Sequence, residues 1–136
     1  MRLRAIALAA AAPLSLGCCA VPGEPVKACR DAVRVYFTRG IDQLGLEALD
    51  QTLLAVSTLE ACPKATATVT GHVDGAEIGM PRLGLARAAN VSSVMVKRGV
   101  ARGRITVRDA AFAQPDRPTA PGISEPRNRF VTIEWQ

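Results

Sequence analysis

Histidine and aromatic residues are scarce in this chain of 136 residues. It contains one histidine, His72, and only five Phe, Trp and Tyr residues in all. The sequence has no His-Glu-x-x-His motif, glycine-rich phosphate loop or serine-centred elbow, so it places no nucleophile beside a base. These absences argue against an enzyme, and a hydrolase using His72 with Asp74 is the weaker alternative. We predict no catalytic residue and no cofactor.

Positive charge is only slightly in excess. Seventeen Lys and Arg against 12 Asp and Glu give a formal net charge of +5, and cleavage of a signal containing Arg2 and Arg4 would leave +3. Nucleic-acid-binding surfaces usually cluster basic residues beside exposed aromatic ones. Here the basic residues are scattered, and the densest group is Lys97-Arg98 with Arg102 and Arg104. We therefore predict no nucleic-acid partner.

The N-terminus has the pattern of an export signal. A basic start precedes an apolar stretch over residues 5–12, and small residues lead to Cys18. The apolar stretch is too short for a transmembrane helix, which needs about 20 residues. We predict a signal peptide at residues 1–17 and a tether rich in proline and glycine at residues 18–32.

Cys18 is a predicted lipidation site. The sequence Leu14-Ser15-Leu16-Gly17-Cys18 resembles a lipobox, the bacterial signal whose cysteine is acylated and becomes the mature N-terminus. This resemblance implies a lipid anchor in an envelope membrane. Cys19 is a second candidate. Ordinary cleavage after Ala20 is the alternative, and it would release a soluble periplasmic protein.

Hydrophobic periodicity predicts alternating strands and helices after the tether. Short alternating runs predict strands at residues 33–38, 66–72, 104–110 and 130–135. Apolar spacings of three and four predict helices at residues 43–60 and 82–98. The residues expected on the buried face of the first helix are Leu46, Leu49, Leu53 and Val56. We predict an α+β domain at residues 33–136, a two-layer sandwich in which a βαβαβ-loop-β mixed sheet carries both helices on one face.

Cys29 and Cys62 are the predicted disulfide pair. Each precedes a predicted strand, and in a right-handed β-α-β unit these points lie at the same end of neighbouring parallel strands. Export makes the bridge chemically feasible. It would close a loop of about 33 residues and contribute about 3 to 4 kcal/mol. Two buried free thiols are the alternative, and we predict no metal site because too few ligands remain.

Asp74 and Arg87 carry the strongest functional signal. Asp74 follows a β-rich run, and Arg87 lies on the second predicted helix, whose side chains lean back toward the loop after Asp74. Asp74 can accept a hydrogen bond from an ammonium, and the planar guanidinium of Arg87 can hold a carboxylate. The pair therefore predicts a site for an amino-acid head group.

Each of these residues also has a structural interpretation. Asp74 could cap the turn that follows it, and Arg87 could pair with a nearby acid such as Glu77. For His72, a partly buried ring bonded to backbone groups is favoured over catalysis.

Four motifs, in order, resemble the OmpA-like peptidoglycan-binding domain, which is found in the peptidoglycan-associated lipoproteins and in the C-terminal half of outer-membrane protein A. They are Val35-Tyr36-Phe37, Gly71-His72-Val73-Asp74, residues 83–88, and Asn128-Arg129-Phe130-Val131. The resemblance covers residues 33–136, most of a domain of ordinary size.

The resemblance implies non-covalent binding of peptidoglycan at the diaminopimelate of its stem peptide. The ammonium would lie on Asp74 and the carboxylate on Arg87, while Asn128 and Arg129 would hold the pocket wall or contact the peptide. Such a protein would link an envelope membrane to the cell wall. Its expected location is the periplasmic face of the outer membrane, with the soluble periplasm as the alternative.

Four positions depart from the family pattern. Val73, Met80, Gly84 and Phe130 stand where the family usually has Thr, Asn, Ser and Arg, and the loop after Asp74 is shorter. Each lost polar partner in a desolvated site costs about 1 to 3 kcal/mol. The alternative function is therefore a protein interaction or assembly module of the envelope, with Met80 and Pro81 in an apolar contact.

Overall fold

Four strands and two helices follow one another in the described part of the chain. The computed structural model describes Cys29 and residues 31–136. The elements are β1 (Val33–Tyr36), α1 (Leu46–Ala61), β2 (Ala67–His72), α2 (Leu83–Lys97), β3 (Ile105–Ala111) and β4 (Phe130–Trp135). The predicted signal peptide, the lipidation site Cys18 and most of the tether lie outside the described residues. No helix within the described residues has the length and apolarity needed to cross a membrane.

The strands form a mixed sheet in the order β1-β4-β2-β3. β4 is antiparallel to both β1 and β2, and β2 is parallel to β3. Both helices pack on one face of the sheet, where Val35, Val69, Val131 and Ile133 are fully buried. Full burial of side chains of this size contributes about 1.5 to 3 kcal/mol each. The predicted α+β two-layer architecture is confirmed.

The buried face of α1 differs from the prediction. Leu46 is 85% exposed, and of the four residues expected inside only Val56 is buried. The residues that α1 does bury are Ala48, Thr52, Ala55, Val56 and Leu59. The helix begins only at Leu46, so its first turn lies at the edge of the core, and small residues bring its middle close to the sheet. Thr52 is tolerated there because its hydroxyl donates to the Ala48 carbonyl at 2.8 Å.

A disulfide joins Cys29 to Cys62, with 6.1 Å between their Cα atoms. The pairing is as predicted, but the reason given for it was wrong in one respect. β1 and β2 are not neighbours, because β4 lies between them. Both are antiparallel to β4 and therefore run in the same direction, so their starting ends still lie at one end of the sheet.

Arg104 closes the same end of the molecule. Its guanidinium donates to the backbone carbonyls of Leu59 (3.1 Å), Cys62 (2.8 Å) and Ala65 (2.9 Å). The last carbonyls of a helix have no partner within it. Arg104 therefore ties the end of α1 and the turn after it to the start of β3.

Candidate functional site

The four predicted ligand-binding residues lie at the other end of the molecule, where β2 ends and α2 and β4 begin. A continuous series of polar contacts runs from Arg87 through Glu77 and Asp74 to Arg129, and Asn128 precedes Arg129 in the chain. The structure therefore brings together the residues that the sequence pattern singled out. It also adds Glu77 at the centre of the group.

Arg87 is fully buried, and protein groups accept from all of its N–H donors. Nε donates to the Ile41 carbonyl at 2.9 Å. Nη1 donates to the His72 carbonyl at 3.1 Å and to Glu77 Oε2 at 2.8 Å, and Nη2 donates to the Thr38 carbonyl at 3.1 Å and to Glu77 Oε1 at 2.6 Å. A guanidinium has five N–H groups, so none remains for an external carboxylate in this state. Pairing with Glu77, the structural alternative, is the observed arrangement.

Glu77 is fully buried as well and accepts bonds on both carboxylate oxygens. Besides Arg87, the backbone N–H groups of Gly40 (2.8 Å) and Asp74 (3.2 Å) donate to it. Burial alone would raise the pKa of Glu77, but the hydrogen bonds from Arg87 and Gly40 outweigh it and lower the pKa below its ordinary value of 4.5. The carboxylate is therefore ionised at neutral pH.

Asp74 is fully buried and held through one of its two carboxylate oxygens. Oδ2 accepts from the Glu125 N–H at 3.0 Å, Arg129 Nη1 at 3.2 Å and the Ser124 hydroxyl at 3.4 Å. Oδ1 is buried and makes no hydrogen bond of good geometry. Asp74 is also the N-cap of the 3-10 turn that Glu77 ends, and its side chain faces the Glu77 N–H in a capping box. The side chain of Asp74 therefore caps the turn that follows it, as the structural interpretation has it.

Asn128 holds the loop that precedes β4. Its side-chain amide donates to the Arg117 carbonyl at 2.8 Å and to the Thr119 hydroxyl at 3.1 Å, and its oxygen accepts from the Arg117 N–H at 2.7 Å. Both of its donors are thus used internally, which gives it a structural role. Direct ligand contact by Asp74, Arg87, Asn128 or Arg129 stays a prediction, and in the described state all four are bonded to the protein itself.

Gly84 has a steric explanation. A Cβ atom at this position would lie 2.6 Å from Asp109 Oδ1 and 3.0 Å from the Gly71 carbonyl oxygen. The start of α2 therefore touches the end of β2, and the Ser usual at this position in the family would require the Asp109 side chain to move.

Phe130 packs on the open face of the sheet. Its ring stacks on His72 with centroids 4.2 Å apart and planes 15° apart. His72 is only 4% exposed, and burial lowers its pKa below the ordinary value of 6.5. The structural interpretation of His72 fits this arrangement.

A small apolar surface lies beside the site. Met80 and Pro81 line a cavity of about 120 Å³ together with Phe112. Ile78 is 47% exposed and Met80 is 39% exposed. Within residues 31–136 and Cys29, no group of three or more His, Cys, Asp or Glu side chains could hold a metal ion.

The central position of Glu77 was not predicted from the sequence. Glu77 was expected as a possible partner for Arg87, but not as a group bonded to two backbone N–H groups as well. An acidic residue in a short loop before an arginine-bearing helix is the only signal that the sequence offers for this. The contacts of Ser124 and Glu125 with Asp74 have no local signal, because they come from an irregular loop distant in sequence.

Comparison with protein families finds a match to the OmpA family over residues 36–129. A comparison with curated proteins finds no match.

Several solved structures are similar to this fold. The OmpA-like domain of FopA1 from Francisella tularensis subsp. tularensis SCHU S4 superimposes with a TM-score of 0.68 and 18% identity, over 75% of this chain and 69% of that one. The peptidoglycan-associated lipoprotein from Burkholderia pseudomallei gives 0.67 and 19%, over 76% and 90%. The cell wall anchor of the T6SS from Pseudomonas aeruginosa gives 0.61 and 25%, over 75% and 78%.

Proposed function

This chain belongs to the OmpA family, and from that premise we propose that it is a non-catalytic module of the bacterial cell envelope that binds peptidoglycan without a covalent bond. One observation carries the proposal. A carboxylate, that of Glu77, lies in a cradle made by the Arg87 guanidinium and two backbone N–H groups. The carboxylate of Asp74 belongs to the residue whose own N–H is one of these two backbone donors.

An amino-acid head group presents the charges that this arrangement can bind. Its carboxylate matches the cradle at Arg87, and its ammonium matches Asp74. The diaminopimelate of a peptidoglycan stem peptide carries such a head group. Two similar structures, a peptidoglycan-associated lipoprotein and a cell wall anchor by name, support this choice of ligand.

The proposal includes export and an N-terminal anchor. Residues 1–17 would direct export, and a lipid on Cys18 would hold the protein at the periplasmic face of the outer membrane. Labelled palmitate should enter the wild type and not the variant Cys18→Ala. A wild type that takes up no label would favour the soluble periplasmic form instead.

A second candidate function is a protein interaction or assembly module of the envelope that has lost peptidoglycan binding. The internal ion pairs of Arg87 with Glu77 and of Asp74 with Arg129 favour it, because they occupy both charged groups. The exposed side chains of Ile78 and Met80 would then belong to the protein contact.

Sedimentation with purified peptidoglycan sacculi tests the two candidates. We expect the wild type to sediment, and Asp74→Asn and Arg87→Ala to stay in the supernatant. Asp50→Ala and Arg98→Ala, which change exposed charges, are the matched controls and should sediment like the wild type. Circular dichroism shows which variants keep the fold. Equal sedimentation of all five proteins would contradict the proposed pocket, and a soluble wild type would favour the second candidate.

A further inference from the structure

The Glu77 carboxylate occupies a complete binding site. Arg87 Nη2 and the Gly40 N–H donate to Oε1 at 2.6 and 2.8 Å. Arg87 Nη1 and the Asp74 N–H donate to Oε2 at 2.8 and 3.2 Å. Each oxygen thus receives one bond from the guanidinium and one from the backbone. This is the bonding that a tightly bound external carboxylate would require.

Three of the four bonds to Glu77 come from elements other than the turn that carries it. Arg87, which donates two of them, lies on α2, and Gly40 follows β1. The fourth is local, because Asp74 is the N-cap of the short 3-10 turn that Glu77 ends. Arg87 is further fixed by three backbone carbonyls that do not involve Glu77. The carboxylate is therefore the guest in a cradle that α2 and the segment after β1 build for the most part.

We propose that Glu77 is an internal ligand, which fills the carboxylate-binding part of this site. An external carboxylate binds only by displacing Glu77, so Glu77 sets the affinity and the specificity of the site for ligands. This inference rests on the function proposed above and deepens it. A guest without a carboxylate has nothing to exchange for Glu77. The site therefore selects ligands that bring both an acid group and an ammonium for Asp74.

Ordinary changes of pH do not remove this internal ligand. The guanidinium and the backbone N–H groups hold the pKa of Glu77 below 4.5, and this outweighs the opposing effect of burial. Displacement by a competing carboxylate is therefore the way in which the site opens.

The occupied cradle lowers the affinity that a ligand shows. Apparent affinity is the intrinsic affinity multiplied by the fraction of molecules in which the site is open. If Glu77 leaves the cradle in about 1% of molecules, removing its charge would tighten binding by about 100-fold. The gain is specific to Glu77, since other acidic residues of the domain do not occupy the cradle.

Chemical rescue tests the inference without peptidoglycan. Glu77→Ala leaves the cradle empty, and sodium acetate should restore its occupant. We expect the melting temperature of Glu77→Ala to be lower than that of the wild type in sodium chloride and to rise in sodium acetate at the same ionic strength. Wild type and Glu60→Ala, which removes an exposed glutamate, are the controls. Their melting temperatures should change by the same small amount between the two salts. An acetate response no larger in Glu77→Ala than in these controls would overturn the proposal.

A second variant keeps the test decisive if Glu77→Ala does not fold. Glu77→Gln preserves the volume and removes the charge, so calorimetric titration with meso-diaminopimelate should show at least about tenfold tighter binding than the wild type. Equal affinities would overturn the proposal. Folding of Glu77→Ala in acetate but not in chloride would support it.

The outcomes separate this inference from the proposed function. Acetate rescue of Glu77→Ala, with neither wild type nor Glu77→Gln sedimenting with sacculi, would support the internal ligand and reject peptidoglycan as the guest. Sedimentation of the wild type with no acetate rescue would keep the proposed function and reject the internal ligand.

Discussion

Each end of the sheet contains an arginine that binds three backbone carbonyls, but only one of them has a carboxylate partner. Arg104, at the disulfide end, donates to carbonyls alone and remains partly exposed. Arg87, at the site end, is fully buried and also donates to both carboxylate oxygens of Glu77. Water can screen the charge of Arg104, whereas a guanidinium without access to water needs a counter-charge inside the protein. Burial thus explains why only one end contains an ion pair of this kind.

Breaking the buried pair should have the largest effect. Arg87→Ala leaves the Glu77 charge buried and unpaired, and we expect a loss of about 3 to 5 kcal/mol in the free energy of unfolding. The combined change of Arg87→Met and Glu77→Leu replaces both charges with apolar groups and should recover much of that loss. Urea denaturation measures both. A double variant no more stable than Arg87→Ala would show that the cost lies outside the ion pair.

Removing the covalent link at the opposite end should come next. Cys29→Ser together with Cys62→Ser should lower the free energy of unfolding by about 3 to 4 kcal/mol, because the unfolded chain gains the freedom of an open loop. Wild type in reductant is the matched control and should show the same loss. A decrease below about 1 kcal/mol would mean that the bridge does not restrict the unfolded chain as assumed.

Arg104→Ala should have a smaller effect than Arg87→Ala. It leaves three carbonyls without their donor, which costs about 1 to 3 kcal/mol, and it leaves no buried charge behind. Arg102→Ala, which changes an exposed neighbour, should be close to neutral in the same denaturation experiment. Equal losses for Arg104→Ala and Arg87→Ala would contradict the distinction drawn from burial.

The smallest effect should be the pH dependence of stability that comes from the ionisable groups at the site end of the sheet. The pKa of His72 is lowered by burial, so below pH 6.5 the unfolded state binds more protons and stability falls as the pH drops toward the folded-state pKa. His72→Gln should remove this decline. The lowered pKa of Glu77 adds stability that is present above pH 4.5 and lost as the pH falls below it.

Thermal melts from about pH 3 to about pH 8, a range that brackets the ordinary pKa values of glutamate and histidine, measure the effect. Glu60→Gln, an exposed change on α1, is the control and should keep the decline below pH 6.5. A profile for His72→Gln that matches the wild type would assign the decline to other groups.

Much of the fold was predictable because the strand and helix periods are clear in the sequence. β4 was predicted at its observed bounds, and α2 differed by one residue at each end. The position of β4 between β1 and β2 was not predicted, because strand order depends on long-range pairing rather than on local pattern. The predicted buried face of α1 was wrong. Leu46 fits the hydrophobic period but lies outside the core, while Ala48 and Thr52 lie inside it.

The site was predictable only as a set of residues. Asp74 and Arg87 were expected near one another, and both contact the segment that contains Glu77. The sequence could not show whether these charges face a ligand or the protein, because a short loop decides this by the direction in which it places one carboxylate. Gly84 shows the same limit, since its lack of a side chain has meaning only beside Gly71.

The common direction of β1 and β2 has a mechanical consequence. A pull on the chain N-terminal to Cys29, resisted by a partner held at Asp74, would run along the strands and load their ladder of hydrogen bonds in shear. The disulfide passes that force from Cys29 to Cys62, which follows α1 and precedes β2, the strand that leads to Asp74. β1 and its pairing with β4 would then lie outside the path of the force. Under the proposed N-terminal anchor, the bridge would make a short covalent route for tension between that anchor and the opposite end of the domain.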